Sequence, residues 1–98
     1  MNEEVVIGLV VNSGNAKSLA IKALRAAKQN KMEEAEQFMK EAKDSLAVAH
    51  ETQTELISQE ASGTKHEISL IMVHAQDHLM NAITVIDLVT ELIDTFKK

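Results

Sequence analysis

Not one proline occurs in this chain of 98 residues, and glycine occurs only three times. Proline fixes φ and lacks the amide donor a helix needs, and glycine inside a helix costs about 1 kcal/mol relative to alanine. A chain almost free of both can run in long unbroken helices. Phe38 and Phe96 are its only aromatic residues, so any core must come from Ala, Leu, Ile, Val and Met. The length suits one domain, residues 1–98, with one modest core.

Apolar periodicity divides the chain into three helices. The first spans about residues 3–28, with Val5, Leu9, Ala16, Leu19, Ala20, Ala23, Leu24 and Ala27 at helical spacing. Asn12-Ser13-Gly14-Asn15 in its middle are poor helix formers. They read either as a loop or kink, or as helix kept thin and polar where something approaches closely. Asn30 with Glu33 resembles a capping box opening a second helix over about 31–60. Its stripe is Met32, Ala35, Met39, Ala42, Leu46, Ala49, Gln53 and Leu56, with Gln53 a polar intrusion. His50, three residues before Gln53, reads as a hydrogen-bonded or partly exposed helix histidine. Gly63 suits a left-handed C-terminal position, and Ser69 a cap for a third helix over about 69–96.

Helix three carries two apolar stripes. Met72, Ala75, Leu79, Ala82, Ile86, Val89, Ile93 and Phe96 should face the other helices. His74, His78, Asn81, Val85, Leu88 and Leu92 form a second line. A lone three-helix bundle leaves roughly half of each helix wet. The surplus apolar surface therefore calls for burial against further copies of the chain. The fold expected is all-α: an antiparallel three-helix bundle that oligomerises through helix three.

The absence of Cys excludes disulfides, thiolate metal sites and a cysteine nucleophile. Ten basic residues are scattered, and the net charge is −5, which argues against nucleic acid as a partner. No apolar run reaches membrane-spanning length, and the acidic start Met1-Asn2-Glu3-Glu4 is unlike a signal peptide. The expected location is cytoplasmic, without membrane insertion.

Val73-His74-Ala75-Gln76-Asp77-His78-Leu79-Met80 holds most of the chemistry. Spacings of three and four put His74, Asp77 and His78 on one side of a helix, inside an apolar run. Four readings are open. The three could bind a divalent metal, although a tetrahedral site needs a further ligand. One histidine could act as a nucleophile or proton carrier, oriented by a neighbour. The cluster could be a polar lock fixing the register of an interface. A hydrolase lacks any supporting Ser, Cys or carboxylate-pair motif.

The same octapeptide, together with Asn12-Ser13-Gly14-Asn15-Ala16-Lys17-Ser18 and Ala49-His50-Glu51-Thr52-Gln53-Thr54, resembles the lactose/cellobiose-type enzyme IIA proteins of the bacterial phosphoenolpyruvate-dependent sugar phosphotransferase system. One motif falls on each helix, and the likeness is greatest to the cellobiose and diacetylchitobiose branch. The resemblance implies a homotrimer of three-helix bundles. It implies a phosphocarrier that accepts a phosphoryl group on His74 Nε2 from the carrier HPr and passes it to a cysteine of enzyme IIB. Gln76 and His78 then flank the reacting histidine in supporting roles. Asp77, one from each of three chains, would hold Mg²⁺ on the trimer axis. The sugar expected is a β-linked disaccharide such as cellobiose or diacetylchitobiose. The competing account is a non-catalytic helical oligomer in which the cluster is a structural or metal-binding lock.

Overall fold

A computed structural model describes residues 3–97; Met1, Asn2 and Lys98, at the ends of the expected domain, lie outside the described residues. Three helices account for nearly all of it: α1 (Glu3–Lys28), α2 (Met32–Ala61) and α3 (Leu70–Phe96). No strand occurs among the described residues. The bundle measures 50 × 21 × 17 Å. Helix α1 lies at the centre, packed on both others, while α2 and α3 meet less extensively. Going up, down and up, the chain leaves α1 and α3 parallel.

α1 is continuous through Asn12-Ser13-Gly14-Asn15, so the loop or kink reading fails. The buried line runs Val6, Leu9, Ser13, Ala16, Ala20, Ala23 and Ala27, an unbroken alternation of three and four. Ser13, 1% exposed, carries the phase across the polar segment. This explains why Val6 is buried rather than Val5, and why Leu19 and Leu24 sit half-buried at the edges. Asn15 Nδ2 donates to Ser45 Oγ on α2 at 2.8 Å, and Asn12 Nδ2 to the Gly8 carbonyl at 2.9 Å. Asn15 thus ties α1 to α2 at the surface, and Asn12 bonds back within α1.

Most of the buried side chains are alanines, which lets the helices approach closely. One cluster joins Val6, Leu9, Ala49, Met72, Ala75 and Leu79 at one end. A larger one joins Ala16–Ala27 residues to Ala35, Met39, Ala42, Ile86, Val89 and Ile93. The expected core stripe of α3 is buried from Met72 to Ile93, but Phe96, in the last turn, remains 39% exposed.

The link between α1 and α2 corrects the expected cap. Asn30 does not open α2; at φ 63° it closes α1. Its N–H donates to the Ala27 carbonyl and that of Lys31 to Ala26, the Schellman pattern. Asparagine tolerates the left-handed region better than most residues. Lys31 precedes α2 and gives no side-chain cap. Gly63, at φ 103°, closes α2 in the same way. Ser69 caps α3 as expected, its Oγ accepting from the Met72 N–H at 3.2 Å.

Candidate functional site

Two turns of α3 bring His74 and His78 together. Their spacing of four residues brings the rings together with centroids 4.3 Å apart and planes tilted by 57°. His74 is exposed and His78 half-buried. His78 Nδ1 lies 3.2 Å from the His74 carbonyl oxygen, which can only accept, so Nδ1 carries the proton. The Nε2 atom of a neutral His78 is then an acceptor. Only the protonated ring offers a donor there.

Asp77 is exposed beside the pair, and its Oδ2 accepts from Asn81 Nδ2 at 3.3 Å. Gln76 points elsewhere. Its Oε1 accepts from Gln53 Nε2 on α2 at 2.7 Å, and its own amide lies against Met72 Sδ. At 100° per residue, Gln76 stands roughly 160° around α3 from His74. The fold therefore unites His74, His78 and Asp77 on one side and places Gln76 on the far flank. Gln53, conspicuous in the sequence as a polar residue within an apolar stripe, proves to be Gln76's partner. His50 is exposed on α2.

Among the described residues no group of three His, Cys, Asp or Glu side chains could hold a metal within one chain. This removes the single-chain metal reading of His74, Asp77 and His78.

One feature of the site was not read from the sequence. A groove of about 460 Å³ between α1 and α3 is lined by Gly14, Lys17, Ser18, Ile21, Lys22, Arg25 and His78. Its signal lay in the spacing of Lys17, Ile21 and Arg25, one face of α1. A Cβ built on Gly14 would meet nothing within 4 Å, so nothing in the chain itself demands glycine there.

A slender helical bundle displaying a close histidine pair on an incompletely covered helix suits a carrier that meets its partners at the surface. The lactose/cellobiose-specific IIA subunit model of the sugar phosphotransferase system matches residues 4–97. The chain belongs to that family, and it is a phosphocarrier component of the phosphotransferase system. It is similar to the lichenan-specific phosphotransferase enzyme IIA component of Bacillus subtilis, 46% identical over 101 residues covering all of this chain and 92% of the relative. The N,N'-diacetylchitobiose-specific EIIA component of Escherichia coli is 47% identical over 96 residues, covering 98% of this chain and 83% of the relative. Among solved structures, the cellobiose-specific enzyme IIA from Bacillus anthracis superposes with a TM-score of 0.91 at 53% identity, covering 98% of this chain and 90% of that one. IIA(chitobiose) in complex with HPr, from Escherichia coli, superposes with a TM-score of 0.80 at 46% identity, covering 96% and 91%.

Proposed function

We propose that His74 is the phosphoacceptor of this carrier, loaded by phospho-HPr and discharged to a cysteine of its cognate enzyme IIB during uptake of a β-linked disaccharide of the cellobiose or diacetylchitobiose type. The observation that carries the reading is the exposed His74 ring held against His78 on a family scaffold. The relative solved with HPr supports the identity of the donor. Names of relatives specific for cellobiose, chitobiose and lichenan support the sugar class. The working location is the cytoplasm.

In the first step the lone pair of His74 Nε2 attacks phosphorus of the donor's phosphohistidine. The donor's P–N bond breaks, and its electron pair returns to the donor imidazole. In the second step a thiolate sulfur attacks phosphorus, and Nε2 keeps the electron pair of the breaking bond. The attacking nitrogen has no proton to lose, so no general base is needed. Catalysis reduces to positioning and to stabilising dispersed negative charge. A protonated His78 can donate to a phosphoryl oxygen from its Nε2, because its Nδ1 is fixed on the His74 carbonyl. Gln76 is turned away from its own His74, and reaches a phosphoryl group only on a neighbouring subunit. His78→Ala should slow transfer about 10²-fold, by analogy with lost oxyanion donors. Gln76→Ala, which also breaks the bond to Gln53, should slow it less. Rapid-quench rates equal to the unmodified protein for both variants would make the two residues purely structural.

The assembly in this reading is a homotrimer with α3 innermost. Leu88 is 59% exposed and Leu92 45% exposed in the single chain, a surface that association would cover. Asp77 from each of three chains would then converge on the axis. Three carboxylates in an apolar setting repel one another strongly. An all-oxygen donor set fits a hard dication such as Mg²⁺, with waters completing its shell. Asn81 already orients each carboxylate through one oxygen. The metal's contribution would be structural. Asp77→Leu removes the charges and the need for metal together, and apolar residues often replace buried compensated charges without loss. That variant should remain trimeric, lose its axial dication and still accept phosphate; a trimeric but inactive variant would return Asp77 to catalysis.

Incubation with phosphoenolpyruvate, Mg²⁺ and the general phosphotransferase proteins tests the function as a whole. The chain should gain one phosphoryl group and lose it to enzyme IIB. A structural lock gains none.

A further inference from the structure

Gln53 occupies a place in the apolar stripe of α2 where a leucine would contribute more burial. Its Nε2 donates to Gln76 Oε1 at 2.7 Å and lies 3.8 Å from Met80 Sδ, while Gln76 Nε2 lies 3.5 Å from Met72 Sδ. Both glutamines are half-buried, one on α2 and one on α3.

A bond between two glutamines can run either way, because each amide carries two N–H donors and one carbonyl acceptor. A link that only tied α2 to α3 would serve equally in either sense. The methionine sulfurs break that symmetry. A thioether accepts weakly and donates nothing. Both amide nitrogens face a sulfur, so reversing both amides would set two oxygens against two sulfurs, lone pair to lone pair. The sense in which Gln53 donates is therefore the stable one.

That sense decides what Gln76 has left to offer. Its oxygen is engaged, and its nitrogen has a weak acceptor in Met72 Sδ. A half-buried N–H group without a strong partner is a donor in reserve. Gln76 borders a cleft of about 300 Å³ between α2 and α3, walled by Leu56, Ile57, Met72 and Val73. Glu60 and Glu67 also line this cleft, toward its other end. Glu60 lies seven residues, about 10 Å, along α2 from Gln53, and Glu67 precedes α3. Phosphoryl oxygens only accept, so an amide N–H stabilises them and an amide oxygen repels them.

We propose that Gln53 is a positioning residue for phosphoryl transfer: by donating to Gln76 Oε1 it holds the Gln76 amide with its N–H groups free for the acceptor-only phosphoryl group. Gln53 itself touches no reacting atom. The inference rests on the supporting role of Gln76 proposed above and names what gives that side chain its direction.

Reversing the bond tests it. In Gln53→Glu the ionised carboxylate only accepts, so it takes a hydrogen from Gln76 Nε2 and turns the amide oxygen outward. In Gln53→Met the direction is simply lost, and an apolar side chain suits the stripe, so this variant should fold as well as the unmodified chain. Rapid-quench rates at saturating phospho-HPr, taken per folded chain, should fall about 10-fold for Gln53→Glu and for Gln76→Ala, the order of one hydrogen bond, and about 3-fold for Gln53→Met. Gln53→Glu combined with Gln76→Ala should be no slower than Gln76→Ala alone, because the two act through one group. Phosphorylation should shift the Gln76 side-chain ¹⁵N resonance in the unmodified chain and not in Gln53→Glu. Unmodified rates for Gln53→Met and Gln53→Glu, with Gln76→Ala slow, would overturn the positioning role and leave that of Gln76 standing. A combined variant slower than Gln76→Ala would overturn it too, since the new charge would then act directly. Gln76→Ala at the unmodified rate would instead remove the role on which the inference rests.

Discussion

His74→Ala should abolish phosphoryl transfer from HPr while leaving helix content and thermal stability almost unchanged. The substitution deletes the attacking nitrogen itself, so no residual route through the same intermediate survives. His74 is exposed and its ring lies beside His78, outside the core, so folding should shift by no more than about 0.5 kcal/mol. His50 and His66 lie elsewhere, on α2 and before α3, without a comparable cluster. Mass spectrometry of the variant after incubation with phospho-HPr is the check. Acceptance of phosphate at the normal rate would move the function to another side chain.

Replacing Leu88 and Leu92 together by Lys should dissociate the assembly. Full burial of a leucine stabilises by about 1.5–3 kcal/mol, and Leu88 and Leu92 are 59% and 45% exposed, so covering what remains contributes roughly 1.5–3 kcal/mol per chain before repulsion among the six new lysines is counted. Both leucines are too exposed in the single chain to support its core. The isolated bundle should therefore keep its helices, and its melting temperature should fall through the loss of mass-action stabilisation. Sedimentation velocity reports the first effect and circular dichroism the second. A double variant that remains trimeric would place the interface away from this stripe.

The sequence reading was strongest where period and chemistry agreed. Freedom from proline and the spacing of apolar residues located three helices, with ends displaced by one residue at Met32, Ala61 and Leu70. Ser69 acted as the cap its position indicated. Asn30 did not, because an asparagine between two helices can serve either end, and the backbone chose the left-handed closure of α1. The buried line of α1 was misjudged at Ser13 because a serine there resembles a break, although the three-and-four spacing runs through it. At the site, an interval of four residues sufficed to pair His74 with His78. The direction of Gln76 depended on Gln53, a partner 23 residues away that helical spacing alone cannot assign. The basic groove was hidden for the same reason, since it joins α1 to His78 across 53 residues or more.

The most direct measurement is the location of the phosphate on the loaded protein. After exposure to phosphoenolpyruvate, Mg²⁺ and the general phosphotransferase proteins, fragmentation mass spectrometry should find one acid-labile phosphoryl group per chain, on His74. The imidazole nitrogen shifts of the ¹⁵N-labelled protein should assign it to Nε2. Phosphate on His78, His50, His66 or a hydroxyl, or no phosphate on a chain that remains folded, would contradict the account.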